Sequence, residues 1–295
     1  MNETPLVFTS QNKRLVGIIH QPEEAFTQGL LLIVGGPQTR VGSHRQFLLL
    51  ARSLAKKGIA VFRFDYQGMG DSEGELSDFY SVLPDVDNAL KVFVQQCPTL
   101  ERVALWGLCD AASVAMVYAA YSPPIVDQLI LLNPWVRQTQ SKAQAVLKHY
   151  YLKKIMSSQF WWSLFCGKLN VVSSIKDVLG QFKKAYFSGC SSQLQVEQKK
   201  SMRQLPQLTE DNYISYMQQG LEAFNGNVSL IMSGEDLTAK EFEQLISKDD
   251  KWKQCMKDKC SARLDVADAN HTFSTKAWRT EVERFTLQVL ITHGN

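Results

Sequence analysis

Residues 102–113 read RVALWGLCDAAS. Arg102 to Trp106 has the length and apolar character of a buried strand, and Cys109 to Tyr121 opens at once into a helical pattern, so the chain must turn sharply around residues 107–109. Such a turn holds its central residue in strained dihedrals and leaves little room two positions to either side. Gly107 and Ala111 occupy those two positions, and both are small. The side chain at the centre is raised above the strand end at a helix N-terminus, whose unpaired N–H groups favour a thiolate. Cys109 is therefore the candidate nucleophile, although a single cysteine is more often a small buried filler. Asp110 beside it would oppose a thiolate if its carboxylate came near, so it is expected to point away or to cap the helix.

Outward from this turn, strand-like and helix-like segments alternate, which predicts a mostly parallel sheet with helices on both faces. Leu6 to Thr9 and Leu15 to His20 pair as a hairpin in this reading. Leu30 to Val34 follows as a strand buried on both faces, and His44 to Lys57 as a helix with Gly58 as its C-terminal stop. Ala60 to Phe64 is the next strand, Leu83 to Val94 a helix and Ile125 to Leu132 a strand. The strand pattern lapses after residue 135 and resumes at Val228 to Ser233 and Ala262 to Val266, before a last helix from Thr275 to about Leu290. The expected division is thus a core of residues 1–135 and 225–295, with a helical cap inserted at 136–224. That insert is rich in aromatics, among them Tyr150, Tyr151, Phe160, Trp161, Trp162 and Phe165.

A thiol nucleophile needs a base, and the base needs an orienting acid, supplied later in the chain in the order nucleophile, acid, histidine. Of five histidines, His20, His44 and His149 lie too early or in the insert, and His293 is in the tail. His271, just past a strand and before the last helix, is the candidate base. Asp236, in Ser233-Gly234-Glu235-Asp236 at a strand end, is the candidate acid, preferred over Glu235; Asp268 is a weaker rival because it precedes His271 too closely to face its ring. The loop Val34-Gly35-Gly36-Pro37 follows the first buried strand, where an oxyanion hole is expected. Pro37 has no N–H, so Gly36 is the candidate donor, Gln38 the fallback, and the backbone N–H of Asp110 the second donor. Asp65 and Ser72, in the Gly-rich turn DYQGMGDS, are read as fold markers without a catalytic role.

The chain's 295 residues carry a formal net charge of only +3, with basic and acidic residues interleaved, which argues against a nucleic-acid partner. The N-terminal residues lack the basic flank and apolar core of a secretion signal, and the apolar runs are too short or too interrupted to cross a bilayer. A cytoplasmic protein without membrane insertion is expected. Six scattered cysteines fit reduced thiols, and Cys255 with Cys260 lacks the second pair or nearby His that a metal would require. Neither a metal nor a cofactor is expected, since residues 68–74 lack the setting of a dinucleotide-binding loop.

At three segments, Val34 to Phe47 (VGGPQTRVGSHRQF), Phe62 to Ser72 (FRFDYQGMGDS) and Trp106 to Ser113 (WGLCDAAS), the chain resembles the α/β hydrolases, and in particular the exosortase-associated hydrolases of the first type. The resemblance implies the α/β-hydrolase fold, with Cys109 as nucleophile, Asp236 as acid and His271 as base. It also implies a bacterial setting among exopolysaccharide and protein-sorting genes, and a hydrolase of undefined substrate. Cys at the nucleophile position also occurs in dienelactone hydrolases and acyl-CoA amino acid acyltransferases. Three activities fit these residues: cleavage of an ester or thioester, acyl transfer to a saccharide or amine, and ligand binding by a catalytically silent member. The acyl substrate and the oligomeric state are left open.

Overall fold

In the computed structural model, which describes residues 1–36, 38–76, 78–136 and 204–292, strand β3 (Gln28–Ile33) turns Leu31 and Ile33 to one apolar cluster and Leu30 and Leu32 to another. Side chains alternate across a strand, so a continuous apolar run must be covered on both faces. Eight strands follow this rule in one sheet. β1 (Asn2–Ser10), β2 (Lys13–Gln21) and β4 (Ala60–Phe64) stand on one side of β3, and β5 (Arg102–Leu108), β6 (Val126–Leu132), β7 (Asn227–Ser233) and β8 (Cys260–Val266) on the other, in the order β1-β2-β4-β3-β5-β6-β7-β8. The two outer pairings, β1 with β2 and β2 with β4, are antiparallel, and every pairing from β4 to β8 is parallel. The hairpin turns at Gln11 and Asn12, both with positive φ, the geometry that matches the twist of a two-residue turn.

On one face, α1 (Gln46–Ala55) and the last helix, Lys276–Thr292, pack Phe47, Leu50, Leu54, Val282, Val289 and Leu290 against the sheet. On the other lie α2 (Leu83–Gln96), α3 (Asp110–Ala119) and the helix Tyr213–Ala223, whose Tyr213, Met217 and Leu221 are buried with Met116 and Tyr118 of α3. This last helix falls within the stretch that sequence assigns to the insert. Its place is fixed by Gly220, where a Cβ would lie 1.9 Å from the Met116 carbonyl oxygen, so the two helices touch backbone to backbone. By internal packing the chain divides into Met1–Val136 with Arg203–Asn295, and Arg137–Met202. The expected helices and aromatics of the insert between 137 and 203 lie outside the described residues.

Two further helices, Leu237–Lys248 and Asp250–Lys259, fill the crossover between β7 and β8, where the sequence reading assigned no element. The second is highly charged and buries only Trp252, Cys255 and Met256, which explains why its periodicity was weak. Asp236 and Asp249 cap their N-termini, each carboxylate accepting two backbone N–H groups. Among the described residues no helix is long and apolar enough to cross a membrane.

Candidate active site

The parallel strands all deliver their carboxyl ends to one edge of the sheet, and the candidate residues sit in the loops that leave it. Cys109 follows β5 directly and precedes α3 with φ 65 and ψ −126. For a residue with a Cβ this is a strained conformation, of the kind that costs on the order of 1–3 kcal/mol and persists only where its surroundings impose it. Here the Cys109 N–H donates to the Leu132 carbonyl (2.9 Å), while its own carbonyl accepts from Trp135 N–H (3.2 Å) and Ala112 N–H (3.1 Å). Ser113 Oγ donates to the Trp135 carbonyl at 2.7 Å, closing the bracket, and the Trp135 ring stacks on Tyr213 at 5.1 Å. Gly107 is required by the turn, since a Cβ there would lie 2.6 Å from the carbonyl of Ala111. Cys109 is partly exposed, whereas Cys97 and Cys255 are buried. Burial pushes up the thiols of Cys97 and Cys260, and that of Cys255 to about 11.

His271 and Asp236 meet, 35 residues apart in sequence, with His271 Nδ1 2.8 Å from Asp236 Oδ2. Asp236 also accepts from the N–H groups of Thr238 (3.2 Å) and Ala239 (3.1 Å), so one carboxylate caps a helix and holds the imidazole. Burial pushes its carboxyl up, but the His271 hydrogen bond and charge, helped by the two backbone donors, outweigh this and leave it below the usual carboxylate range. Asp268 is exposed. The two loops press together at Gly234, where a Cβ would lie 1.8 Å from the Ala267 carbonyl, and Glu235 N–H donates to the Ala269 carbonyl at 3.0 Å.

Asn133, at the end of β6 with φ 43, joins these loops to the elbow. Its side-chain NH2 donates to Ser233 Oγ (2.6 Å) and the His271 carbonyl (3.3 Å), and its Oδ1 accepts the Ser233 N–H (2.9 Å). Residue 132 meanwhile accepts the Cys109 N–H, so a fully buried asparagine ties the loop of His271 to the strand end beside Cys109. The sequence reading passed over Asn133; an Asn directly after a buried strand and before Pro134 was the available signal.

The loop after β3 is placed differently from expectation. Gly36, with φ 57, donates its N–H to Asp110 Oδ2 at 2.8 Å, and Ala111 N–H donates to Asp110 Oδ1 at 3.0 Å. Asp110 thus does cap the helix, and its carboxylate also takes the N–H proposed as an oxyanion donor. Gly35 makes room for it, because a Cβ there would lie 2.3 Å from Asp110 Oδ1. Gln38, the fallback donor, turns its Oε1 to the Ser43 N–H at 3.1 Å. The loop is anchored by Arg40, whose N–H and guanidinium both reach the fully buried Asp65, and Ser72 Oγ donates to the Asp65 carbonyl at 2.8 Å. The Gly-rich turn therefore braces the site without entering it. Among the described residues no three His, Cys, Asp or Glu side chains gather as a metal site.

Known proteins agree with this architecture. The solved structures similar to this chain include the esterase Pf2001 of Pyrococcus furiosus, with TM-score 0.62 and 15% identity over 99% of this chain and 91% of that one. They include the α/β hydrolase GrgF from Penicillium sp. sh18, with TM-score 0.61 and 15% identity over 99% of each chain. Est1E from Butyrivibrio proteoclasticus, solved with ferulic acid bound, has TM-score 0.59 and 13% identity over 96% of this chain and 98% of that one. At such identities the likeness shows the fold, which is the α/β-hydrolase fold. No curated protein matches the sequence. The family model described as serine aminopeptidase, S33, matches residues 27–213, more than half of the chain, and the protein therefore belongs to that family of α/β hydrolases.

Proposed function

We propose that the protein cleaves a carboxylic ester or thioester through a covalent acyl intermediate on Cys109. The observation that carries this reading is the 2.8 Å hydrogen bond between His271 Nδ1 and Asp236 Oδ2, made by the loops after β8 and β7, on the sheet edge where the strained Cys109 follows β5. With Asp236 accepting the Nδ1 proton, Nε2 of His271 is left with its lone pair free to act as a base. Cys109 Sγ gives its proton to Nε2 and attacks the carbonyl carbon. The tetrahedral intermediate collapses as the imidazolium protonates the leaving alcohol or thiol, and water, deprotonated by the same ring, then releases the acid. Backbone N–H groups of Gly36 and Asp110 are the donors assigned to the oxyanion.

Replacing Cys109 by Ala is expected to lower the turnover of p-nitrophenyl acetate and acetyl-CoA on the order of a thousandfold or more, as loss of a covalent nucleophile does. An unchanged rate would overturn the mechanism. Mass measurement of the intact protein during turnover should show one acyl group, lost in Cys109→Ala.

Acyl transfer is a second reading, favoured by the sulfur at 109, since a thioester passes readily to an amine. The resemblance to the exosortase-associated hydrolases makes a saccharide hydroxyl the other acceptor to test. Products with and without added acceptor separate the two, and an intermediate that yields only free acid whatever is added rules transfer out.

A further inference from the structure

An oxyanion hole works because its N–H donors wait for a charge that develops only during reaction. Here one of the assigned donors, the Gly36 N–H, is already engaged. Gly36 N–H, from the loop after β3, and Ala111 N–H, from the first turn of α3, converge on the two oxygens of Asp110 at 2.8 and 3.0 Å. Two elements 74 residues apart thus cradle one carboxylate, and the bare Cα of Gly35 leaves the space in which Oδ1 lies.

We infer that the side chain of Asp110 is an internal occupant of the oxyanion pocket, and that acyl chemistry at Cys109 requires it to swing out. The inference rests on the mechanism proposed above. A carboxylate has the charge and size of the anion that the pocket is built to hold, so the resting site is closed by a mimic of its own intermediate. Asp110 thereby acts as a positioning residue, setting which substrates gain entry by how much binding energy they bring to displace it.

The ionisable groups facing Asp110 fit this arrangement. Burial pushes its carboxyl up, while the donors of Gly36 and Ala111 and the charge of His271 pull it back. Tyr66, in the loop after β4, is buried, and its hydroxyl has no hydrogen-bond partner among the described residues. Burial first, and then the charges of Asp110 and Asp85, hold that phenol well above its ordinary range. An unpartnered buried hydroxyl is uncommon.

The test compares the full-length protein with Asp110→Ala and Asp110→Asn. Emptying the pocket should raise kcat/KM for p-nitrophenyl acetate on the order of tenfold or more, because two charge-assisted hydrogen bonds no longer have to be broken first. Asn, which cannot accept from both N–H groups, should lie between Ala and the parent. A rate that falls or stays level in an Asp110→Ala protein that melts cooperatively would overturn the proposal, and if Ala does not fold the Asn variant decides in the same way. A second arm does not depend on turnover. In the Cys109→Ala background, sodium acetate is titrated while the Gly36 amide is followed by NMR. Acetate should shift that amide only when Asp110→Ala is also present. Equal response with and without Asp110 would overturn the inference, whereas the expected pattern in a protein whose hydrolysis survives Cys109→Ala would sink the mechanism and leave the occupant in place.

Discussion

Asp236 does two tasks with one carboxylate, and the tasks can be separated. Asparagine keeps one acceptor oxygen, enough for one of the N–H groups of Thr238 and Ala239, but cannot offer a negative charge to His271. Asp236→Asn is therefore expected to unfold within about 0.5 kcal/mol of the parent, because Asn is as good an N-cap as Asp. Its kcat should fall about 10³- to 10⁴-fold, as the ring loses its preferred tautomer. Ester hydrolysis and urea unfolding on the same sample check both halves. Sequence set Asp236 ahead of Asp268 because Asp268 precedes His271 too closely to face its ring, but it offered no argument for Asp236 over its neighbour Glu235. The grip of Asp110 on Gly36 could not be read from sequence, because it joins residues 74 apart and depends on a side-chain rotamer that no periodicity encodes.

At the scale of elements, the pairing of β2 with β4 carries a buried titratable pair. His20 is fully buried and its Nε2 accepts from Arg63 Nε at 2.8 Å, so the ring is neutral in the fold. Burial and then the charge of Arg63 bring its pKa down to about 4. Unfolding releases the ring to an ordinary value near 6.5, so the unfolded chain takes up a proton that the native one refuses between these limits. Stability is therefore full above about pH 6.5 and is expected to decline by up to about 3 kcal/mol as the pH falls to 4. His20→Gln, which can still accept from Arg63, should flatten that slope in urea titrations at pH 7 and 4.5; equal slopes would show that the ring does not titrate this way. Asp236, held below its usual range, acts in the same direction but at lower pH, where its charge is lost. The strands themselves were legible because runs such as Leu30 to Val34 allow one reading. The helix Asp250–Lys259 was not, because three buried residues among ten leave almost no periodic signal.

For the molecule as a whole, the boundary of the inserted stretch turns on how the helix Tyr213–Ala223 packs. Sequence assigned residues 136–224 to the insert because strand character disappears there, yet Tyr213–Ala223 covers α3 and shares its core. Helices look alike in sequence whether they belong to a core or to an insertion, so packing separates them: here the burial of Tyr213, Met217 and Leu221 and the close approach at Gly220. Gly220→Ala would place a methyl carbon 1.9 Å from the Met116 oxygen, backbone against backbone. A loss of about 1–3 kcal/mol is expected from such overpacking, read as a lower urea midpoint with an unchanged slope. If the helix were a separable part of the insert, the midpoint of the remaining domain would not move.

The left-handed backbone at position 109 has a consequence for thermal endurance. A residue bearing a Cβ resists that geometry, whereas glycine accepts it freely, which more than offsets the roughly 0.5–1 kcal/mol that glycine costs through a more mobile unfolded chain. Cys109→Gly should thus melt above the parent by a degree or more in calorimetry while losing all turnover. On the mechanism proposed above, the residue that lowers the molecule's heat tolerance at this site is the same one that carries its chemistry.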